Sequence, residues 1–220
     1  MPGVCLCHKE IDRFPSSSTA PKSEILGDPT VGIDLPKNTG PRKRYLTPEE
    51  IQKLLAALVK KPRLYLFVKM SLCTGARMGT LLSVHKDHIK PDGTVNLYNH
   101  KADRWYQGFF DEETMWLLKY KRGYVLALNG KEDRVPAPQS IQYRLQEVLN
   151  ELFNDEDTPP EKRAVVHTLR HSVATQQVRK GVPIEVISKT LDHSSINVTS
   201  QIYAKIAPEL IKDSVTNLWD

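Results

Sequence analysis

Two stretches near the end of the chain decide how the rest is read: His167-Thr168-Leu169-Arg170-His171-Ser172, and then Leu191-Asp192-His193-Ser194-Ser195 followed by Ile202-Tyr203. A His-x-x-Arg opening a helical segment puts a histidine and an arginine on one face. Alone, such a pair is more often a cap or a surface contact than a site. Its weight comes from what surrounds it. Downstream are a second histidine and a tyrosine; upstream, Thr74-Gly75-Ala76-Arg77 places an arginine near a turn between helices. Between two β-prone runs, His100-Lys101-Ala102-Asp103-Arg104 places a lysine at or beside a hairpin tip.

The patterning around these residues predicts an α+β fold that is mainly α-helical, with a small antiparallel β-sheet at one edge. Thr47-Pro48-Glu49-Glu50 has the form of a capping box, with Pro48 suited to the first helical position. Ile51, Leu54, Leu55, Leu58 and Val59 follow at helical spacing, and a second apolar helix is expected around Leu64 to Leu72. Pro91-Asp92-Gly93 marks a turn, after which Thr94 to Tyr98 and Trp105 to Phe110 read as strands. Helices are predicted over Asp111 to Lys121, Ser140 to Phe153, Thr168 to Lys180 and Pro183 to Leu191, with a terminal stretch after Pro208. Residues 1 to 44, rich in proline and serine and without sustained periodicity, read as a linker or poorly ordered segment, and residues 45 to 220 as the main domain.

Arg77, Lys101, His167, Arg170, His193 and Tyr203, in that order and spacing, resemble the tyrosine recombinase family, also called the phage integrase family. The likeness runs from about Thr47 to the end and in phrasing is nearest the Xer branch. The family pattern is an arginine in a first box, a lysine in a β-hairpin, a His-x-x-Arg box, a second histidine and a nucleophilic tyrosine. One departure stands out: relatives usually carry Glu or Asp three residues after the first arginine, where this chain has Thr80, so the means of orienting Arg77 is open. The resemblance implies site-specific recombination of double-stranded DNA through a covalent 3′-phosphotyrosyl intermediate, in chromosome dimer resolution or in integration and excision of mobile elements. It implies a monomer off DNA and a tetramer with neighbouring protomers on paired sites. It also implies an N-terminal DNA-clasping domain that residues 1 to 44 are too short to supply.

The residue types suit that chemistry. Two planar guanidinium groups can hold the nonbridging oxygens of a phosphodiester under attack, which assigns Arg77 and Arg170. A tyrosine hydroxyl with a pKa near 10 needs their field or a base before it attacks, so Tyr203 is the nucleophile and His167 the base or proton relay. Lys101 is the expected acid for the departing 5′ oxygen, and His193 a donor to a nonbridging oxygen. A phosphotyrosyl link conserves the bond energy, so no cofactor, ATP or metal ion is expected. The sequence has no phosphate-binding Gly-x-x-x-x-Gly-Lys loop.

The whole chain is consistent with this. Its 220 residues include 40% hydrophobic and 26% charged residues and carry a net charge of +5, which suits a polyanionic partner. No apolar run is long enough for a membrane span, and the N-terminus lacks secretory signal features, so a cytoplasmic location is expected. Cys5, Cys7 and Cys73 are odd in number and badly spaced for a disulfide framework. Cys5-Leu6-Cys7-His8 lacks the fourth ligand of a structural zinc site, and His85-Lys86-Asp87-His88 reads as a solvated turn. Tyr98, Trp105, Tyr106, Phe109 and Phe110 are expected to pack against helices. The apolar face of Leu210, Ile211, Val215, Leu218 and Trp219 would dock either on a neighbouring protomer, the favoured case, or on its own domain. Two other functions are open: relaxation of supercoils in the manner of a type IB topoisomerase, and DNA-binding regulation without catalysis.

Overall fold

The computed structural model describes residues 44–192 together with 197, 199, 200 and 204. The expectations for residues 1–43, His193, Tyr203 and the stretch after Pro208 lie outside the described residues. The described elements run α1 (Pro48–Leu58), α2 (Pro62–Thr74), α3 (Met78–Leu82), a 3-10 turn (Lys86–His88), β1 (Thr94–Asn99), β2 (Arg104–Phe109), α4 (Glu112–Leu118), α5 (Gln139–Phe153), α6 (Thr168–Arg179) and α7 (Ile184–Thr190). This is the predicted mainly helical α+β arrangement with one small sheet.

Helix α1 starts at the predicted capping box: Thr47 accepts from the Glu50 amide, and the Glu50 side chain accepts from the Thr47 amide at 2.9 Å. Helix α2 buries Leu64, Leu66, Phe67, Val68, Met70, Ser71 and Thr74. Being apolar on most sides, it occupies the centre, against α1, α4, α6 and β2. The main core gathers residues from α1 to α5 around it, while Val173, Ala174, Val178, Ile187 and Leu191 form a smaller cluster between α6 and α7. The Leu46 amide donates to Ser172 Oγ at 2.8 Å, tying the start of the described chain to α6.

Strands β1 and β2 pair antiparallel from Thr94 with Phe109 to Asn99 with Arg104, leaving residues 100–103 as the turn. Lys101 lies in that turn, as predicted. The aromatics of the hairpin divide between its two faces, which corrects the expectation that all five pack inward. Phe110 is buried and Tyr106 half-buried, but Trp105 is 56% and Phe109 63% exposed. Trp105 instead makes an edge contact with His88 and a tilted ring contact with Tyr98. The His85–His88 segment is a 3-10 turn whose two imidazoles satisfy backbone amides, in line with the turn reading.

Candidate active site

The junction between α2 and α3 fixes the first arginine. Gly75 ends α2 with φ +60, and a Cβ there would lie 2.4 Å from Leu191 Cδ2, so a side chain is excluded both by conformation and by the close approach of α7. Thr74 Oγ1 donates to Met70 O and accepts from the Ala76 amide, turning the chain so that Arg77 becomes the N-cap residue of α3.

Arg170, in the first turn of α6, is only 5% exposed. Its guanidinium donates to Gly75 O at 2.8 Å and Leu191 O at 2.6 Å, bridging the ends of α2 and α7, which lie side by side. Burial, and then the nearby charge of Arg77, push its pKa down to about 10, while Tyr106 and Asp192 act the other way. It still carries its charge at neutral pH. Two coupled guanidinium groups, one of them buried, form an unfavourable pair on their own and a favourable one around an anion. His167 immediately precedes α6 and shares with Arg170 a cleft of about 300 Å³, lined also by Ala76, Met78, Gln142 and Gln146. Lys101 is exposed at the hairpin turn, with its amide donating to Asn99 Oδ1 at 3.0 Å.

Two further residues stand among the arginines. Asp192, with φ +48 and 5% exposure, accepts from Arg104 Nε at 2.9 Å and from Asn99 Nδ2, while its main-chain carbonyl lies 3.5 Å from Arg77 Nη1. Burial works against its ionisation, but Arg104, Asn99 and Arg77 together hold its pKa below the ordinary carboxylate value. The Tyr106 hydroxyl is pushed up to about 12, chiefly by burial; Arg170, Arg77 and the neighbouring Thr80 oppose that rise and Asp192 adds to it. Thr80 is buried and uncharged, so it supplies no counter-charge to Arg77. In the sequence Asp192 shows no sign of a role, and Tyr106 reads as a packing residue. The only trace of Asp192's position in the sequence is the tolerance of aspartate for a left-handed backbone.

The phage integrase family model matches residues 44–209. The chain belongs to the phage integrase family. It is 26% identical over 197 residues to tyrosine recombinase XerD of Pseudomonas putida, covering 82% of this chain and 63% of that protein. The crystal structure of XerA recombinase has the same fold, with a TM-score of 0.64 at 22% identity, over 86% of this chain and 71% of that one. XerH site-specific recombinase bound to difH substrate in a pre-cleavage complex matches with a TM-score of 0.61 at 19% identity, over 82% and 56%. The chain spans between 44 and 66% of the length of the curated relatives it matches. Within the integrase frame, the structure brings Arg77 and Arg170 together, sets His167 in the same cleft as Arg170, and connects the Lys101 turn to them through Asn99 and Asp192.

Proposed function

We propose that this integrase chain supplies the catalytic domain, residues 45 to 220, of a site-specific recombinase that cuts and rejoins double-stranded DNA. The observation that carries the reading is the buried Arg170, held by two main-chain carbonyls and coupled to Arg77. Carbonyls orient a guanidinium without cancelling its charge, so the pair remains attractive to a phosphodiester.

In this account Arg77 and Arg170 hold the nonbridging oxygens, and Tyr203 attacks phosphorus with His167 taking its proton. A bond forms from the Tyr203 oxygen to phosphorus, and the bond to the 5′ oxygen breaks, with Lys101 giving that oxygen a proton. His193 donates to a nonbridging oxygen as charge develops. Attack by the freed 5′ hydroxyl of a partner strand reverses these steps and returns Tyr203. The phosphotyrosyl ester conserves the bond energy, so the reaction proceeds without ATP, metal ion or cofactor. Recombination requires two sites and four strands, hence a tetramer of protomers on paired DNA, with the chain monomeric off DNA and the apolar face around Leu210 to Trp219 docked on a neighbour. An N-terminal clasping domain belongs to the whole recombinase.

The test is a plasmid bearing two copies of the DNA that flanks the gene, incubated with the protein in EDTA without ATP. Deletion or inversion between the copies is the expected product. Relaxed plasmid without rearrangement would indicate topoisomerase-like turnover, and bound but uncut plasmid would indicate a regulator.

A further inference from the structure

Asp192 takes no part in the cleavage steps above, yet it contacts both the hairpin and Arg77. Its carboxylate is buried, and both of its oxygens are occupied by the hairpin: Oδ1 by Arg104 Nε at 2.9 Å and by the Arg104 terminal nitrogen, Oδ2 by Asn99 Nδ2. Asn99 and Arg104 are the last paired residues before the turn. Asn99 in turn organises that turn, with its Oδ1 accepting from the Lys101 amide at 3.0 Å and the Ala102 amide at 3.2 Å. On the other side, the Asp192 carbonyl approaches Arg77, and the adjoining Leu191 carbonyl holds Arg170. One short segment after α7 therefore touches the supports of three of the reacting groups.

We propose that Asp192 is a positioning residue: its carboxylate latches the hairpin turn that bears Lys101 to the segment holding Arg77 and Arg170, and so sets where the lysine reaches the leaving oxygen. The strands are anchored in the core by Val95 and Leu97, but near the turn the other described side-chain contacts are Tyr98 with Asp103, within the hairpin itself, and His100 with Ser83 Oγ at 3.1 Å, neither of which reaches the segment that holds the arginines. A carboxylate suits the place because it accepts on both oxygens, whereas an amide would turn a donor toward either Asn99 or Arg104. The same carboxylate lends negative charge beside Arg77, where the first arginine box has Thr80. Its reach to Lys101 matters to catalysis only if Lys101 is the acid, so that part rests on the strand-cleavage reading; the latch itself does not.

The variant to use is Asp192→Gly, because glycine adopts φ +48 freely and removes both contacts without backbone strain. Amide hydrogen exchange on the full chain without DNA reads the latch directly. Exchange at Lys101 and Ala102 should be about tenfold faster or more in the variant, since a local opening equilibrium is released. Unchanged exchange overturns the proposal whatever the protein does to DNA. For positioning, nicked duplexes are built on the cleavage site mapped in the DNA flanking the gene, with oxygen or sulfur at the bridging 5′ position. Asp192→Gly should cleave the oxygen substrate about tenfold more slowly, and sulfur should restore most of the loss because a thiolate leaves without a proton. Combined with Lys101→Ala it should add nothing to the loss from Lys101→Ala alone, as expected of two residues acting in one step. Losses that multiply, or no rescue by sulfur, would mean that Asp192 does not act through the lysine. A wild-type chain that forms no covalent adduct would sink the cleavage reading and leave hydrogen exchange to decide the latch.

Discussion

Arg170 reaches Gly75 O and Leu191 O with two arms of one fork, a geometry that a lysine cannot reproduce from a single nitrogen. Arg170→Lys should therefore keep a positive charge and still slow single-turnover cleavage by about 100-fold or more, on the scale of losing a preorganised donor to the developing oxyanion. A loss below tenfold would argue that charge alone suffices. The places of Arg77 at a turn between helices, Lys101 in the hairpin turn and Arg170 in the first turn of α6 were legible in the sequence from the turn and capping signals around them. Asp192 and Tyr106 were not, because their roles depend on contacts between segments far apart in the chain, such as Arg104 with Asp192. Among the described residues Tyr106 is the tyrosine whose hydroxyl feels both Arg170 and Arg77, and so the physical rival to Tyr203. Burial keeps it protonated to about pH 12, which makes it a poor nucleophile despite their field.

The elements were legible where their periodicity ran long, as in α1 and α5, and at the turn signals that bound the hairpin. Helix α3 was not, since Met78–Leu82 is too short to show a period and exists because Arg77 turns the chain after Gly75. Helix α4 came out shorter than its apolar pattern suggested, beginning at an Asp111 cap and ending at Leu118. That cap gives a pH prediction. Burial opposes the Asp111 charge, but hydrogen bonds from Thr114 and the ion pair with Lys69 outweigh it and bring its pKa from 3.8 to about 2. A carboxyl that titrates lower when folded stabilises the fold fully above its unfolded value and loses that effect as the pH falls through its folded one. Asp111→Asn should therefore melt lower than wild type at pH 6, and the gap should close between about pH 4 and pH 2. A gap independent of pH would show that the carboxylate charge is not what holds the cap.

Across the whole chain the net charge is +5, and the described residues add a neighbouring arginine pair and an exposed lysine in the hairpin turn, features that suit the DNA proposed as substrate. DNA affinity should fall about 1,000-fold between 50 and 200 mM salt if about six phosphates are neutralised, because counterions are released on binding. A nearly flat response in a fluorescence anisotropy titration would be incompatible with backbone recognition. The central claim is that Tyr203 becomes covalently joined to DNA within the grip of Arg77 and Arg170. It is tested most directly by trapping the protein on a nicked duplex that releases the cut fragment, digesting the adduct and sequencing the modified peptide by mass spectrometry. A nucleotide on Tyr203, joined through the 3′ phosphate, is the expected result, with no adduct from Tyr203→Phe even though that variant still binds DNA. A nucleotide on Tyr106 or any other residue, or an adduct that survives Tyr203→Phe, would contradict it.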